Sequence, residues 1–153
     1  MKNILCKELK LVILPGFYLF SLLSFMLLIP QYPYFVGVSY AVFAIFLVFN
    51  AAQASNDHRF TAMLPVPRRH IVLGKHVTAM VLEGIQLLVA IPAAILSSLV
   101  LYPQGNSVGM DANFAFFGFT LMAYSVYNLI FLPWYFKTGY RTGIPTAVAM
   151  AGY

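Results

Sequence analysis

The sequence predicts an all-α fold, a polytopic bundle of transmembrane helices. Of the 153 residues, 61% are hydrophobic and only 8% are charged, whereas soluble domains carry about 25% charged residues. A soluble chain so poor in charge could not cover its core with polar surface, but a lipid-facing surface can be apolar. The apolar residues form continuous runs rather than the ~10-residue alternating segments of membrane barrels, and lipid requires such runs to pair their backbone groups internally, as helices do.

Uncharged runs of about 20 residues mark the predicted membrane crossings, because a helix of that length crosses the ~30 Å hydrocarbon core. We predict one transmembrane domain over residues 1–153, with four complete spans and the start of a fifth. The final run is too short to cross and no charged anchor follows it, so it is either a span that has been cut off or a short re-entrant or interfacial tail. The spans cover about 11–29, 34–54, 77–101 and 113–136, and the partial span covers 142–153.

The run Leu11–Ile29 is interpreted as a retained first helix. Lysines precede it, as in a secretory signal, but the run exceeds the ~7–15 apolar residues of a signal core and no small-residue cleavage site follows. Pro15 and Gly16 lie near its start. The segment 2–14 is therefore either a separate amphipathic helix at the membrane interface or a plain charged flank.

Basic residues alternate between the predicted loops. All nine lie in the N-terminal flank or in the loops 55–76 and 137–141, and none lies in the loops 30–33 and 103–112. The positive-inside rule places the basic segments in the cytoplasm, which predicts a multi-pass protein of the cell membrane with a cytoplasmic N-terminus. The net charge of +5 therefore reports topology, and we expect no nucleic-acid partner. The basic residues are Lys2, Lys7, Lys10, Arg59, Arg68, Arg69, Lys75, Lys137 and Arg141.

A few polar residues fall inside the predicted spans. Glu83 is the one acidic residue there, and a charge near the bilayer centre costs at least about 2.5 kcal/mol. Gln86 follows on the same helix face, and Tyr124 and Asn128 share a face of the fourth span. These four residues either line a polar path through the membrane or make helix–helix contacts. For Glu83 a third possibility is an anchor near the cytoplasmic boundary, paired with a basic neighbour.

Neither an enzyme nor a metal site is indicated. His58, His70 and His76 are irregularly spaced, and no cysteine or pair of carboxylates joins them to complete a metal site. The chain has no phosphate-binding loop of the Gly-x-x-x-x-Gly-Lys type and no Gly-x-Ser-x-Gly or His-Glu-x-x-His motif. We expect no catalytic residues, no metal and no cofactor.

The polar stretch DHRFTAMLPVPRRHIVLGK, from Asp57 to Lys75, resembles the first cytoplasmic loop of bacterial ABC-2 type transporter permeases. That family has an acidic residue after its second span, followed by a Leu-Pro-x-x-Arg-x-x-Ile-Val-x-x-Lys pattern. Pro67 and Met63 replace a small polar residue and a serine, and the start MKNILCKELKL also looks like the family's N-terminal segment. The residues that fit the pattern are Leu64, Pro65, Val66, Arg68, Ile71, Val72 and Lys75.

The resemblance implies a permease subunit of an ABC exporter. Such permeases typically have six spans, work as homo- or heterodimers in the bilayer, and pair with a separate cytoplasmic ATPase that hydrolyses ATP. The loop 55–76 is then the element that couples the two proteins; without the resemblance it would be a solvated loop that fixes topology. The implied coupling residues are Asp57, Arg59, Leu64, Pro65, Arg68, Arg69 and Lys75.

Two other classes of function remain open from the residues alone. One is a stand-alone four-helix transporter of the small multidrug type, in which Glu83 would be a proton-coupled site. The other is a non-transporting membrane protein, such as an assembly or immunity factor. The exporter subunit is the leading interpretation, with substrate and transport direction undefined by the sequence.

Overall fold

The computed structural model describes residues 2–12, 15–29, 32–98 and 113–153, and within these ranges the chain forms helices and turns without any strand. This confirms the predicted class, an all-α helical membrane bundle. The helices are α1 (Lys2–Lys7), which continues as a π-helical turn (Glu8–Val12), α2 (Pro15–Tyr18), which continues as a 3-10 helix (Leu19–Leu28), α3 (Tyr34–Ala54), α4 (Asp57–Met63), α5 (Arg68–Leu96), α6 (Phe114–Lys137) and α7 (Gly143–Gly152).

Three of the described helices, α3, α5 and α6, are long and apolar enough to cross a membrane. The 3-10 helix and α7 are apolar but shorter. Helix α5 has 29 residues and is therefore about 43 Å long, more than the ~30 Å hydrocarbon core. Because α5 begins at Arg68, its first turns precede the predicted span 77–101. The residues 99–112, where that span was expected to end, lie outside the described part of the chain, and the number of crossings stays a prediction.

The first apolar run changes helix type along its length. The part after Pro15 is one short α-helix followed by the 3-10 helix of ten residues, an unusual length for that geometry. The hydroxyl of Ser21 donates to the backbone carbonyl of Tyr18, three residues back, which suits the tighter turn. A 3-10 helix rises about 2.0 Å per residue, so this segment extends about 20 Å, further than an α-helix of equal length.

Turn residues place α4 and α5 against the end of α3. Asn56 has a positive φ of 54°, a conformation that asparagine tolerates better than most residues, and it lies in the turn directly before α4. Leu64, which precedes Pro65, is extended, as expected because a proline disfavours helix at the residue before it. Pro67 directly precedes the start of α5 at Arg68. The short α4 is thus held between two membrane helices.

Two apolar clusters form the core. In one, aromatic rings of α3 and α6 interlock: the centroid of Phe49 lies 5.2 Å from that of Phe131 and 4.9 Å from that of Tyr135, both edge to face. In the other, Leu27 of the 3-10 helix packs against α3 and α5. Its contact with Gly37 is so close that a Cβ added there would lie 2.5 Å from Leu27 Cδ1. Small residues of this kind let membrane helices approach closely.

Candidate functional site

Four charged side chains from three segments form a cluster at one end of the bundle, which we call the charge cluster: Lys7, Glu8, Asp57 and Lys75. The Nζ atom of Lys75 lies 2.8 Å from Glu8 Oε2 and 3.0 Å from Asp57 Oδ2. The Nζ atom of Lys7 lies 3.0 Å from Glu8 Oε1 and 2.5 Å from Asp57 Oδ1. Each cation therefore contacts both acids, and the four charges alternate around a closed ring.

The charge cluster is largely removed from solvent. The side chains of Glu8 and Lys75 are 0% and 3% exposed, and those of Lys7 and Asp57 are each 11% exposed. Burying an ion costs several kcal/mol unless good geometry and further hydrogen bonds compensate. Here two positive and two negative charges cancel, so the ring has no net charge and every member has two opposite partners.

Further contacts complete the charge cluster. Lys7 Nζ donates to Thr61 Oγ1 over 2.6 Å, and that hydroxyl donates to the backbone carbonyl of Asp57 over 2.8 Å. Lys75 Nζ also lies 5.8 Å from the ring centroid of Phe49, within the range of a cation–π contact. Burial alone would raise the pKa of Asp57, but the hydrogen bonds and charges of Lys7 and Lys75 outweigh it and hold that pKa below its usual value.

The structure divides the predicted coupling residues into two groups. Asp57 and Lys75 are inside the charge cluster, whereas Leu64 is half-buried and the others are exposed. Two apolar side chains on α4, Phe60 and Met63, are also exposed, by 57% and 80%. We call this mixed face the loop surface; it consists of Arg59, Phe60, Met63, Pro65, Arg68 and Arg69.

Lys7, Glu8 and Thr61 are site residues that sequence reasoning missed. The available signal was Glu8, because the chain has only four acidic residues and this one sits within a lysine-rich flank. A single acid among several lysines is typical of an ion pair with a specific cation. Nothing in the sequence indicated which cation, and the N-terminal segment was weighed only as an interfacial helix or a flank.

Contacts at the same end of the bundle bring the basic segments together. The N-terminal segment reaches the α3–α4 turn through Lys7 and Asp57. The ring of His58 stacks on that of Tyr140, with centroids 5.0 Å apart, and Thr142 Oγ1 donates to Gln53 Oε1 over 3.2 Å. The three basic segments, which the sequence separates widely, are therefore neighbours at one end of the bundle.

Glu83 makes a helix–helix contact with Asn128. Asn128 Nδ2 donates to Glu83 Oε1 over 2.8 Å and to Glu83 Oε2 over 3.0 Å, joining α5 to α6. Lys75, a basic neighbour earlier on α5, bonds instead to Glu8 and Asp57. The structure thus pairs Glu83 with Asn128 on a different helix, whereas the sequence grouped each of them with a residue on its own helix.

Gln86 and Tyr124 join other helices. Gln86 Nε2 donates to Ser24 Oγ over 2.7 Å and to the Gly37 carbonyl over 2.8 Å, so it ties α5 to both the 3-10 helix and α3. The hydroxyl of Tyr124 donates to the backbone carbonyl of Val38. Tyr124 and Asn128 share a helix but contact different neighbours. Each of these bonds joins two segments of the bundle.

Three described helices are long and apolar enough to cross a membrane, and this helical bundle is that of an integral membrane protein. Residues 2–152 match the family described as ABC-2 family transporter protein. The chain therefore belongs to this family and is a membrane component of ABC-type transport, as the resemblance of its polar loop indicated. Comparisons with curated proteins and with solved structures gave no significant match.

Proposed function

We propose that this chain is the permease subunit of an ABC exporter, moving its substrate across the cell membrane with energy from a separate cytoplasmic ATPase subunit. Family membership supports the transport role. The observation that most favours an ATPase partner is the loop surface, which exposes arginines and large apolar side chains together. Arginine and exposed aromatic or methionine side chains are enriched at protein–protein interfaces.

The charge cluster makes the loop surface a suitable coupling element. Asp57 begins α4 and Lys75 lies in the early part of α5, and both are bonded to the N-terminal segment through Glu8 or Lys7. A movement of α4 caused by the ATPase would therefore also move the membrane helix α5, because the ion pairs connect the two helices. In this proposal Arg59, Arg68 and Arg69 contact the ATPase, while the charge cluster holds their backbone in place.

The orientation belongs to the same proposal. Because the three basic segments meet at one end, a single choice of side satisfies the positive-inside rule for all of them. We place that end, including the N-terminus, in the cytoplasm, where an ATPase is available. By resemblance to the family's permeases we also propose that two such chains, identical or different, pair in the bilayer.

The test is affinity purification of the tagged chain from native membranes, followed by mass spectrometry for an ATPase with a phosphate-binding loop. We expect the wild-type chain to retain such an ATPase. The double variant Arg68→Glu with Arg69→Glu should insert normally but retain several-fold less. Lys137→Glu with Arg141→Glu is the matched control, because it makes the same charge change at exposed positions at the same end of the bundle.

The outcomes separate the parts of the proposal. If neither double variant loses the ATPase, the loop surface is not the docking site. If both lose it equally, the effect is general electrostatics rather than docking at the loop. Absence of any ATPase from the wild-type purification, and of ATP-dependent flux in vesicles, would contradict the exporter assignment itself.

A further inference from the structure

The contact between Glu83 and Asn128 leaves two polar groups poorly satisfied. Glu83 is only 7% exposed, and its two carboxyl oxygens share one donor, Asn128 Nδ2. Asn128 Oδ1 is buried without a hydrogen-bond partner among the described residues. Buried polar atoms normally find hydrogen-bond partners. Asn128 Oδ1 has no donor, and the two oxygens of Glu83 have one donor between them, so this arrangement needs an explanation.

Among the described residues, no cation forms an ion pair with Glu83. The ion pairs of the described residues all belong to the charge cluster and none includes Glu83. Within the described part of the chain, the titratable groups that interact electrostatically with it include Tyr124 and Tyr127 on α6 and Tyr153 after α7, and none of these three is cationic. An ionised carboxylate in such a place would be one of the most costly arrangements in a membrane protein.

A single proton on Glu83 would supply the missing donor to Asn128 Oδ1 and remove the uncompensated charge. We propose that Glu83 is an intramembrane proton-binding site, in which the carboxyl group is neutral and pairs reciprocally with the Asn128 amide. The Glu83 O–H then donates to Asn128 Oδ1, while Asn128 Nδ2 donates to the other Glu83 oxygen. The reciprocal pair requires the Asn128 amide to turn so that Oδ1 faces one carboxyl oxygen while Nδ2 keeps its contact with the other.

The proton links this site to helix movement. If α5 and α6 separate, water reaches the carboxyl group, the O–H bond breaks, and the proton passes to water while Glu83 becomes a carboxylate. When the helices close, Glu83 takes up a proton from water and the reciprocal pair forms again. This site goes beyond the proposed exporter role and does not depend on an ATPase partner.

Infrared spectroscopy of the whole protein in lipid at neutral pH tests the proposal directly. The wild type should show the C=O stretch of a protonated carboxyl group, and Glu83→Gln should lack it. The amide that this substitution introduces would preserve the reciprocal pairing with Asn128, so the variant is expected to fold. Asp57→Asn is the matched control and should leave the band unchanged, because Asp57 is paired with two lysines. Loss of carboxylate bands instead of the protonated band in Glu83→Gln would overturn the proposal.

Two further measurements examine the exchange and the pairing. In deuterated buffer the band should shift to lower frequency, and an unshifted band would exclude proton exchange with water. Asn128→Leu should shift it to higher frequency, because the carboxyl C=O loses the hydrogen bond that it accepts from Asn128 Nδ2 and the O–H loses its acceptor; no shift would contradict the pairing. A carbodiimide that modifies protonated carboxyl groups in apolar surroundings should label the peptide containing Glu83 and not those containing Glu8 or Asp57. Absence of label from Glu83 would also contradict a neutral acid.

Discussion

Lys75 and Glu8 are 67 positions apart in the chain, yet the lysine Nζ lies 2.8 Å from the carboxylate. The bond joins the N-terminal segment to the membrane helix α5. Both side chains are almost fully buried, so neither can exchange its partner for water while the bundle is closed. Movement of α5 relative to the N-terminal segment therefore requires a change in the charge cluster.

Lys75→Met is expected to destabilise the protein strongly. It would leave the buried carboxylate of Glu8 and the largely buried one of Asp57 with only Lys7 between them. Removal of one partner from a buried ion pair typically costs about 3–5 kcal/mol. The thermal unfolding midpoint in detergent measures the effect. Lys10→Met is the control, since Lys10 is exposed and a surface charge contributes little.

The double variant Lys75→Met with Glu8→Gln checks the cause of that loss. If an uncompensated Glu8 charge is responsible, the second substitution should recover part of the stability, because it removes that charge. Neighbouring groups in one network are expected to be non-additive in this way. Additive losses in a double-mutant cycle would mean that Lys75 and Glu8 act independently.

Acid should weaken the charge cluster through Asp57. Because the folded-state pKa of Asp57 is lowered, its contribution to stability is present above the unfolded-state pKa of about 3.9 and is lost as the pH falls through the folded-state value. When the pH is lowered below about 4, the thermal unfolding midpoint of the wild type should therefore fall by more than that of Asp57→Asn. Parallel pH profiles for the two proteins would show that Asp57 has no such role.

The fold class was predictable because it depends on properties that are local in sequence. Long uncharged runs require helices in lipid, and proline is favoured at helix starts, which fits the beginning of α5 at Arg68 directly after Pro67. The change from α-helix to 3-10 helix after Tyr18 was not foreseen. Hydropathy measures how apolar a segment is, but it is insensitive to the pitch of its helix.

Contacts between helices were the part that the sequence could not provide. Glu83 and Asn128 were each recognised as polar residues in lipid, but Asn128 was grouped with Tyr124, its neighbour on the same helix. Spacing identifies which residues share a face, while the packing of α5 against α6 decides which faces meet. The partner of Lys75 was missed for the same reason, since Glu8 is distant in the chain.

Gly37→Val is expected to separate the 3-10 helix from α3. A Cβ at this position would lie 2.5 Å from Leu27 Cδ1, and Leu27 is fully buried, so it has little room to move. Overpacking of this kind costs about 1–3 kcal/mol. Gly118→Val is the matched control on another membrane helix, because nothing lies within 4 Å of a Cβ added there.

The rescue of Gly37→Val distinguishes a steric clash from a helix-propensity effect. Leu27→Ala in the same chain removes the atom that the new side chain meets, so the double variant should unfold at a higher temperature than the sum of the single effects predicts. If Gly37→Val and Gly118→Val lower the unfolding midpoint equally, valine disfavours these helices in general and the contact with Leu27 is not the cause.

Gln86→Leu should loosen the junction of three segments. The substitution keeps an apolar side chain of similar size but removes the donors to Ser24 Oγ and the Gly37 carbonyl. Hydrogen bonds between membrane helices contribute about 0.6–2 kcal/mol, so we expect a loss of that order in the unfolding free energy. A double-mutant cycle with Ser24→Ala should give a coupling energy near the lower of those values, whereas Leu88→Ala, at an exposed position on the same helix, should show no coupling to Ser24. Equal behaviour of Gln86 and Leu88 in the cycle would mean that the amide does not join α5 to the 3-10 helix.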